Sequence, residues 1–106
     1  MIAKITITKR MLDKSIVDAN KSVVQFVKEH LPITYDDIGN GEKIPIEAIY
    51  SDGSISELRL YRRPRGDRLL SIKGLKSRAA AGDIVQISAP DPELGKNYHA
   101  IIEVVS

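Results

Sequence analysis

The chain has 106 residues, which is room for one domain around one hydrophobic core. Its hydrophobic content of 42% and charged content of 28% are those of an ordinary globular protein, which excludes a disordered chain. The absence of cysteine excludes a disulfide scaffold and a thiolate zinc site, and no apolar run approaches the ~18 residues of a membrane span. Because the first residues also lack a secretory h-region, the sequence predicts one cytoplasmic domain covering residues 1–106.

The formal net charge of +2 hides a strong segregation of charge along the chain. Residues 59–78 hold eight basic side chains and one acidic one, a local charge of +7. Residues 4–21 hold five basic and two acidic side chains, a local charge of +3. The rest of the chain therefore carries −8. Two basic segments on an acidic body favour a polyanionic ligand over a merely solvated surface.

The N-terminal third predicts one strand, one loop and one helix. Apolar and polar residues alternate over residues 2–8, which is typical of a half-buried strand. Residues 9–21 are mostly polar and predict an irregular, partly anchored loop. A capping box that begins at Ser22, followed by apolar residues at helical spacing, predicts a helix over 22–30. Pro32 then ends it, because the residue before proline leaves the α region.

The remainder of the chain predicts strands joined by turns. Asp52-Gly53 lies between two alternating runs and indicates a hairpin. The sequence also predicts a short helix near 74–80 and a loop over 89–97. The predicted strands after the first are residues 43–50, 55–62, 68–73, 84–87 and 98–105. Since helices and strands do not alternate, we expect a mostly β (α+β) fold, an open antiparallel seven-stranded pseudobarrel with one or two short helices.

Five short motifs, in this order, resemble the B3-type DNA-binding pseudobarrel of plant transcription factors and of the recognition domains of some bacterial restriction endonucleases. They are Ile5-Thr6-Ile7-Thr8-Lys9-Arg10-Met11-Leu12, Val24-Gln25-Phe26-Val27-Lys28-Glu29-His30-Leu31-Pro32, Asp52-Gly53, Lys73-Gly74-Leu75 and Gly82-Asp83-Ile84-Val85. The chain lacks the tryptophans usual in that family and the Ile-Pro that usually precedes its first helix. These departures favour a prokaryotic, restriction-endonuclease-like member over a plant one.

The resemblance implies how such a domain binds DNA. In that family two arms clamp the major groove of double-stranded DNA, and they fall here at about 8–21 and 59–71. These ranges coincide with the two basic segments found from charge alone. The resemblance therefore implies a monomeric, sequence-specific DNA reader without a cofactor or a metal. It is either a stand-alone domain or one attached to a nuclease domain or subunit, and it is not an enzyme by itself.

The residue types in the two arms suggest individual roles. Arginine forms paired hydrogen bonds with guanine and asparagine with adenine, whereas lysine, serine and threonine suit phosphate oxygens. The predicted base contacts are Arg10, Asn20, Arg63, Arg65 and Arg68. The predicted phosphate contacts are Lys9, Lys14, Ser15, Lys21, Arg62, Lys73 and Lys76.

Other functions are considered from the same residues. Glu93 and Lys96 stand three apart in a Pro/Gly-rich stretch, whereas a nuclease site needs its acid and lysine two apart on a strand. His30 and His99 are isolated, so no metal-ligand spacing appears. Two alternatives stay open: a swapped-hairpin antitoxin-like or transition-regulator-like DNA-binding dimer, and a protein-interaction or effector-binding domain with a basic face.

Overall fold

Seven strands form one curled sheet, an open half-barrel, in a computed structural model that describes residues 2–90 and 98–106. The strands are β1 (Ile2–Thr6), β2 (Val17–Asp18), β3 (Lys43–Tyr50), β4 (Ile55–Arg62), β5 (Arg68–Ile72), β6 (Ile84–Ser88) and β7 (Ala100–Val105). The helices are α1 (Lys9–Lys14), α2 (Lys21–His30), a first 3₁₀ helix (Tyr35–Asp37) and a second 3₁₀ helix (Leu75–Ser77). The predicted fold class is confirmed.

The strands lie in the order β1-β6-β7-β3-β4-β5-β2, so β1 and β2 are the two edges of the sheet. All neighbouring strands are antiparallel except β3 and β7, which are parallel. The strand β7 lies between β6 and β3, and it runs antiparallel to β6 and parallel to β3. The one parallel pair is the departure from the predicted antiparallel sheet.

Side chains alternate between the two faces along each strand, and one face of the sheet encloses the core. The helix α2 packs against β1 and covers the core with Val23, Phe26 and Val27. The strands contribute Ala3, Ile5, Ile46, Ala48, Leu58, Leu60, Leu70, Ile72, Val85, Ile87, Ala100 and Ile102. In the described ranges, no helix has the length and apolar character needed to cross a membrane.

The loop predicted over residues 9–21 is wrong, because this segment forms α1 and β2. The Thr8 side chain begins α1 by accepting a hydrogen bond from the Met11 backbone. Ser15 ends it in the left-handed region, with φ 55°. Since α1 buries no side chain fully, tertiary contacts hold it through the half-buried Met11 and Leu12. A polar six-residue helix of this kind carries little periodic signal in sequence.

The helix α2 begins earlier than the predicted capping box. Asn20, and not Ser22, is the N-cap residue, and its Oδ1 accepts from the Val23 backbone at 3.0 Å. Ser22 instead bonds outside the helix, where its Oγ accepts from the Lys4 backbone N–H at 3.2 Å. Both residue types are good caps, so the choice depends on what else each side chain contacts.

The two edges of the sheet meet at the residues just before α2. The Ala19 backbone N–H extends the β2–β5 edge by donating to the Arg68 carbonyl at 3.2 Å. On the other side the Asn20 Nδ2 donates to the Lys4 carbonyl of β1 at 2.9 Å. Side-chain hydrogen bonds therefore bridge the gap that backbone pairing leaves open between β1 and β2.

Two further predictions concern the connections. The Asp52-Gly53 hairpin is confirmed, with Ser51–Gly53 as a three-residue loop in which Gly53 adopts φ 92°. The helix predicted near 74–80 is the second 3₁₀ helix and is shorter. Of the loop predicted over 89–97, residues 91–97 lie outside the described residues.

Candidate nucleic-acid interface

The strands β3, β4 and β5 turn one row of side chains away from the core, on what we call the outer face. Strand register places Lys43 opposite Tyr61, and Tyr61 opposite Leu69. In the next row of this face, Arg59 lies opposite Ser71. Leu69 is only 3% exposed although it points away from the core, so neighbouring groups cover it on the outer face.

The residues that follow α1 lie along this outer face. A depression of about 180 Å³ has Lys14, Ser15 and Ile16 on one side and Lys43 and Arg59 on the other. A hydrogen bond of 3.3 Å from the Ser71 hydroxyl to the Ser15 carbonyl joins the two sides. The first basic segment is thereby held against the sheet that carries the second.

A second depression, of about 310 Å³, joins the two basic segments directly. Arg10 and Lys14 of α1 line it together with Arg63, which begins the turn between β4 and β5. Lys14 and Ile16 line both depressions, so the surface is continuous. Five cationic residues from separate parts of the sequence thus share one face: Arg10, Lys14, Lys43, Arg59 and Arg63.

A third depression extends this surface past α1. It has a volume of about 550 Å³, and Lys73 and Lys76 lie on its lining. It shares Ser15 and Ser71 with the depression beside Lys14, so the three depressions adjoin. We call the surface formed by Arg10, Lys14, Ser15, Lys43, Arg59, Arg63, Lys73 and Lys76 the basic face.

Two predicted contacts lie elsewhere. Arg62 and Arg68 pair across β4 and β5 on the side that continues into the core. The Arg62 Nη1 donates to two carbonyl oxygens, those of Tyr35 and Ile38, each at 3.3 Å. Its Nε is buried, with no hydrogen-bond partner among the described residues. The structure therefore gives Arg62 a structural role, and the phosphate contact at this residue stays a prediction.

Arg68 lies near the same end of the molecule as Arg62. Its Nη2 is 3.7 Å from the Asp36 carboxylate, beside the first 3₁₀ helix and away from the basic face. The base contact at Arg68 stays a prediction, but this side chain lies outside the depression that Arg10 and Arg63 share. The physical reason is the two-residue period of a strand, which turns alternate arginines to opposite faces.

The Asn20 side chain is occupied within the fold. Its oxygen accepts from Val23 N–H and from the Ser22 hydroxyl, and its amide donates to the Lys4 carbonyl. Pairing with adenine would need this oxygen and this amide together, so it would break the cap of α2. In the structure Asn20 has a capping role, and the base contact at this residue stays a prediction.

The other predicted contacts are exposed. Lys9 and Lys21 occupy the first positions of α1 and α2. Arg65 lies in the β4–β5 turn with its side chain 77% exposed. The Asp67 carboxylate lies 3.3 Å from Arg65 and 3.8 Å from Arg63, so it orients both guanidinium groups.

The basic face ends at an acidic row. Glu47 and Glu57 lie directly opposite each other on β3 and β4, and Glu57 Oε1 accepts from Arg59 Nε at 3.2 Å. Toward the other end, Lys43 Nζ lies 5.0 Å from the centre of the Tyr61 ring. The charge of the outer face therefore changes from positive near α1 to negative near the β3–β4 hairpin.

A second group of side chains fixes the backbone that carries Lys73. Its carbonyl oxygen accepts from the Tyr50 hydroxyl at 2.7 Å and from the Ser56 hydroxyl at 2.8 Å. The Arg78 guanidinium stacks 3.9 Å from the centre of the Tyr50 ring and donates to Asp52 at 2.8 Å. The segment after β5 is thereby clamped to the β3–β4 hairpin.

These contacts change two pKa values. The hydrogen bond from Arg78, followed by bonds from Ser54, lowers the pKa of Asp52 to about 2. Burial raises the pKa of Tyr50 above its ordinary value, against the smaller effects of Ser56 and Arg78. Asp52 is therefore charged, and Tyr50 is a neutral hydrogen-bond donor, throughout the physiological pH range.

Lys43, Arg59 and Tyr61 of the outer face were not predicted as contacts. The signal that locates them is the register of the β3–β4 hairpin. Once Ile46 and Leu58 are both assigned to the core, Lys43 and Tyr61 must share the opposite face. Their proximity to Lys14 could not be read in this way, because it depends on the packing of α1.

Among the described residues, no group of three His, Asp or Glu side chains is placed to hold a metal. The stretch with Glu93 and Lys96 lies outside the described ranges. Comparison with protein-family models and with curated proteins finds no match for this chain.

Proposed function

We propose that this protein binds double-stranded DNA sequence-specifically through the basic face, with α1 and the β4–β5 turn as two arms in the major groove. The observation that carries the proposal is that Arg10 and Lys14 line the same depression as Arg63. Two segments that are basic in sequence are thus neighbours in space. Clustered cations of this kind neutralise phosphates and release counterions.

The residue types on the basic face support base recognition as well as phosphate binding. Arg10 and Arg63 are the two arginines that the arms direct into one depression, and arginine binds guanine through two parallel hydrogen bonds. Lys14, Lys43 and Lys73 suit phosphates on either side. Tyr61 lies beside the Lys43 ammonium group. A single-strand binder would need several open aromatic surfaces for stacking, so duplex DNA is the better match.

The resemblance to B3-type domains supports the finer features of the proposal. The seven-stranded half-barrel is the fold it implies, and α1 and the β4–β5 turn fall within its two arms. The proposal therefore includes a prokaryotic, cytoplasmic DNA reader. It acts without catalysis of its own, as a monomer or as the recognition domain of a restriction endonuclease.

The test is selection of binding sites from random duplexes, followed by affinity measurements on the selected sequence. Arg63→Ala and Arg68→Ala are matched variants, because both remove an arginine from the same basic segment while only Arg63 lies on the basic face. We expect Arg63→Ala to cost about 1–3 kcal/mol of binding free energy and to relax specificity at one base pair. Arg68→Ala should bind like the wild type.

Three results would overturn the proposal. They are selection that enriches no sequence, tighter binding of single strands than of duplexes, and equal losses in Arg63→Ala and Arg68→Ala. An obligate dimer in sedimentation would favour the swapped-hairpin alternative over the monomeric reader. Unchanged DNA binding after Arg10 and Arg63 are both replaced by glutamate would favour the protein-interaction alternative.

A further inference from the structure

The depression between α1 and the second 3₁₀ helix, which we call the α1 cleft, has the dimensions of a small-molecule site. Its volume of about 550 Å³ falls within the ~300–1,000 Å³ range of ligand pockets. Met11 and Leu12 line it from α1, and Leu75 lines it from the 3₁₀ helix. None of the contacts described above fills it.

The lining of the α1 cleft is apolar at its floor and polar at its rim. Leu75 is 6% exposed and belongs to the core, while Met11 and Leu12 are half-buried against it. Lys73 and Lys76 are exposed and line the same cleft. An apolar floor with a few convergent polar groups is the composition typical of ligand sites.

One wall of the cleft is fixed by hydrogen bonds. Lys73 is held by its carbonyl, which accepts from Tyr50 and Ser56, and by its N–H, which donates to the Glu57 carbonyl at 3.0 Å. Gly74 follows with φ 83° and turns the chain into the 3₁₀ helix. A wall held in this way is organised before a ligand arrives, which lowers the entropic cost of binding.

The cleft also opens onto the basic face. Ser15 and Ser71 line both the cleft and the depression that contains Lys14. Ser15 is the one non-glycine residue with a positive φ in the described part of the chain, and it stands at this boundary. A nucleic-acid strand on the basic face would therefore pass the mouth of the cleft.

We propose that the α1 cleft binds one nucleotide unit, with the base against Met11, Leu12 and Leu75 and its phosphate on Lys73 and Lys76. A bare anion would not use the apolar floor, and a purely apolar ligand would not use the two lysines. A nucleotide uses both. The unit comes either from bound duplex DNA, in which case the proposal rests on the proposed function, or from a free mononucleotide. In a duplex the base must leave the stack to enter the cleft.

The first arm of the test uses the selected duplex with 2-aminopurine placed at each position in turn. Extrusion of the base relieves its quenching by stacked neighbours, so fluorescence rises at one position when the protein binds. The variant and the wild type are compared at protein concentrations that bind all of the duplex. We expect the Lys76→Glu complex to lose most of the rise in fluorescence that the wild-type complex shows. Lys28→Glu, the matched variant on the exposed side of α2, should keep it.

The second arm titrates deoxynucleoside 5′-monophosphates and follows the methyl resonances of Met11 and Leu75 by NMR. Saturable chemical-shift changes that are lost in Lys76→Glu support binding of a free nucleotide in the cleft, even if the 2-aminopurine fluorescence does not rise. Duplex binding by anisotropy, measured in parallel, separates the two proposals. If the duplex binds but neither the fluorescence nor the methyl shifts change, the proposed nucleotide site in the cleft is wrong and the proposed function stands. If the duplex does not bind, the proposed function is wrong, and the nucleotide titration alone tests the site in the cleft.

Discussion

Arg62 donates from Nη1 to the carbonyl oxygens of Tyr35 and Ile38, whereas its neighbour Arg63 lines the depression beside Arg10. The two residues belong to the same basic segment and differ by one position. Because side chains alternate along a strand, one position is enough to turn a guanidinium from the basic face to the end of the core. Local charge therefore overestimates how many cations of a segment can reach a ligand.

Asn20, which the sequence predicts as a DNA contact, makes hydrogen bonds within the fold that stabilise it. Asn20→Ala removes the cap of α2 and the hydrogen bond to the Lys4 carbonyl of β1. We expect it to lower the free energy of unfolding by about 1–2 kcal/mol, measured by urea denaturation. Lys28→Ala on the exposed surface of α2 is the control and should change stability by less than about 0.5 kcal/mol.

A second substitution separates the two roles of Asn20. Asn20→Asp keeps an acceptor for the Val23 N–H but loses the donor to the Lys4 carbonyl, so we expect an intermediate loss of stability. DNA affinity of the folded protein should stay unchanged in both variants. If Asn20→Ala proved as stable as Lys28→Ala, the bridge between β1 and α2 would have no energetic role.

At the scale of elements, the β3–β4 hairpin shows what strand periodicity can decide. A two-residue loop at Asp52-Gly53 would pair Ile46 with Arg59 and would place a core residue opposite a surface one. The observed three-residue loop pairs Ile46 with Leu58, so inward residues meet inward residues. The hydrophobic pattern therefore predicts the register of this hairpin better than its turn dipeptide does.

The clamp at the end of this hairpin predicts a pH dependence. The pKa of Asp52 is lowered from 3.8 to about 2, mainly by the hydrogen bond from Arg78. The Asp52 carboxylate therefore takes up a proton less readily in the folded state than in the unfolded state. The stabilisation is present above pH 3.8 and is lost as the pH falls toward about 2. We expect Asp52→Asn to lose less thermal stability than the wild type across this window, as measured by Tm.

The partner residue supplies the control for this pH effect. Arg78→Ala should flatten the same part of the Tm profile, and adding Asp52→Asn to it should change little, because both substitutions remove one interaction. Equal acid sensitivity in the wild type and in Asp52→Asn would contradict the role of the clamp.

At the scale of the whole molecule, the basic face predicts a steep salt dependence of DNA binding. Each phosphate contact contributes about −0.9 to the slope of log K against log salt. Lys14→Ala and Lys43→Ala should each reduce the magnitude of the slope by about 0.9, and Lys28→Ala should leave it unchanged. Lys43 is the decisive case, since only the structure places it beside Lys14. An unchanged slope in Lys43→Ala would remove it from the interface.

The sequence by itself determined the class of fold and the location of the charge. Alternation identified the inward residues of the strands, such as Leu58 and Leu60, and composition identified the two basic segments. Both are local properties, because a two-residue period tells which face of its own strand a side chain occupies. The helix α1 escaped prediction because its stability comes from contacts with other elements.

Only the tertiary structure decided which cations share a surface. Arg10 and Arg63 are 53 positions apart, and the packing of α1 beside β2 and the second 3₁₀ helix brings them to one depression, while Arg62 and Arg68 lie outside it. Likewise, the position of β1 made Asn20 the cap of α2 in preference to Ser22. The physical reason is the same in both cases. A periodic pattern orients a residue within its own element, but which element lies beside it depends on how the sheet curls and closes.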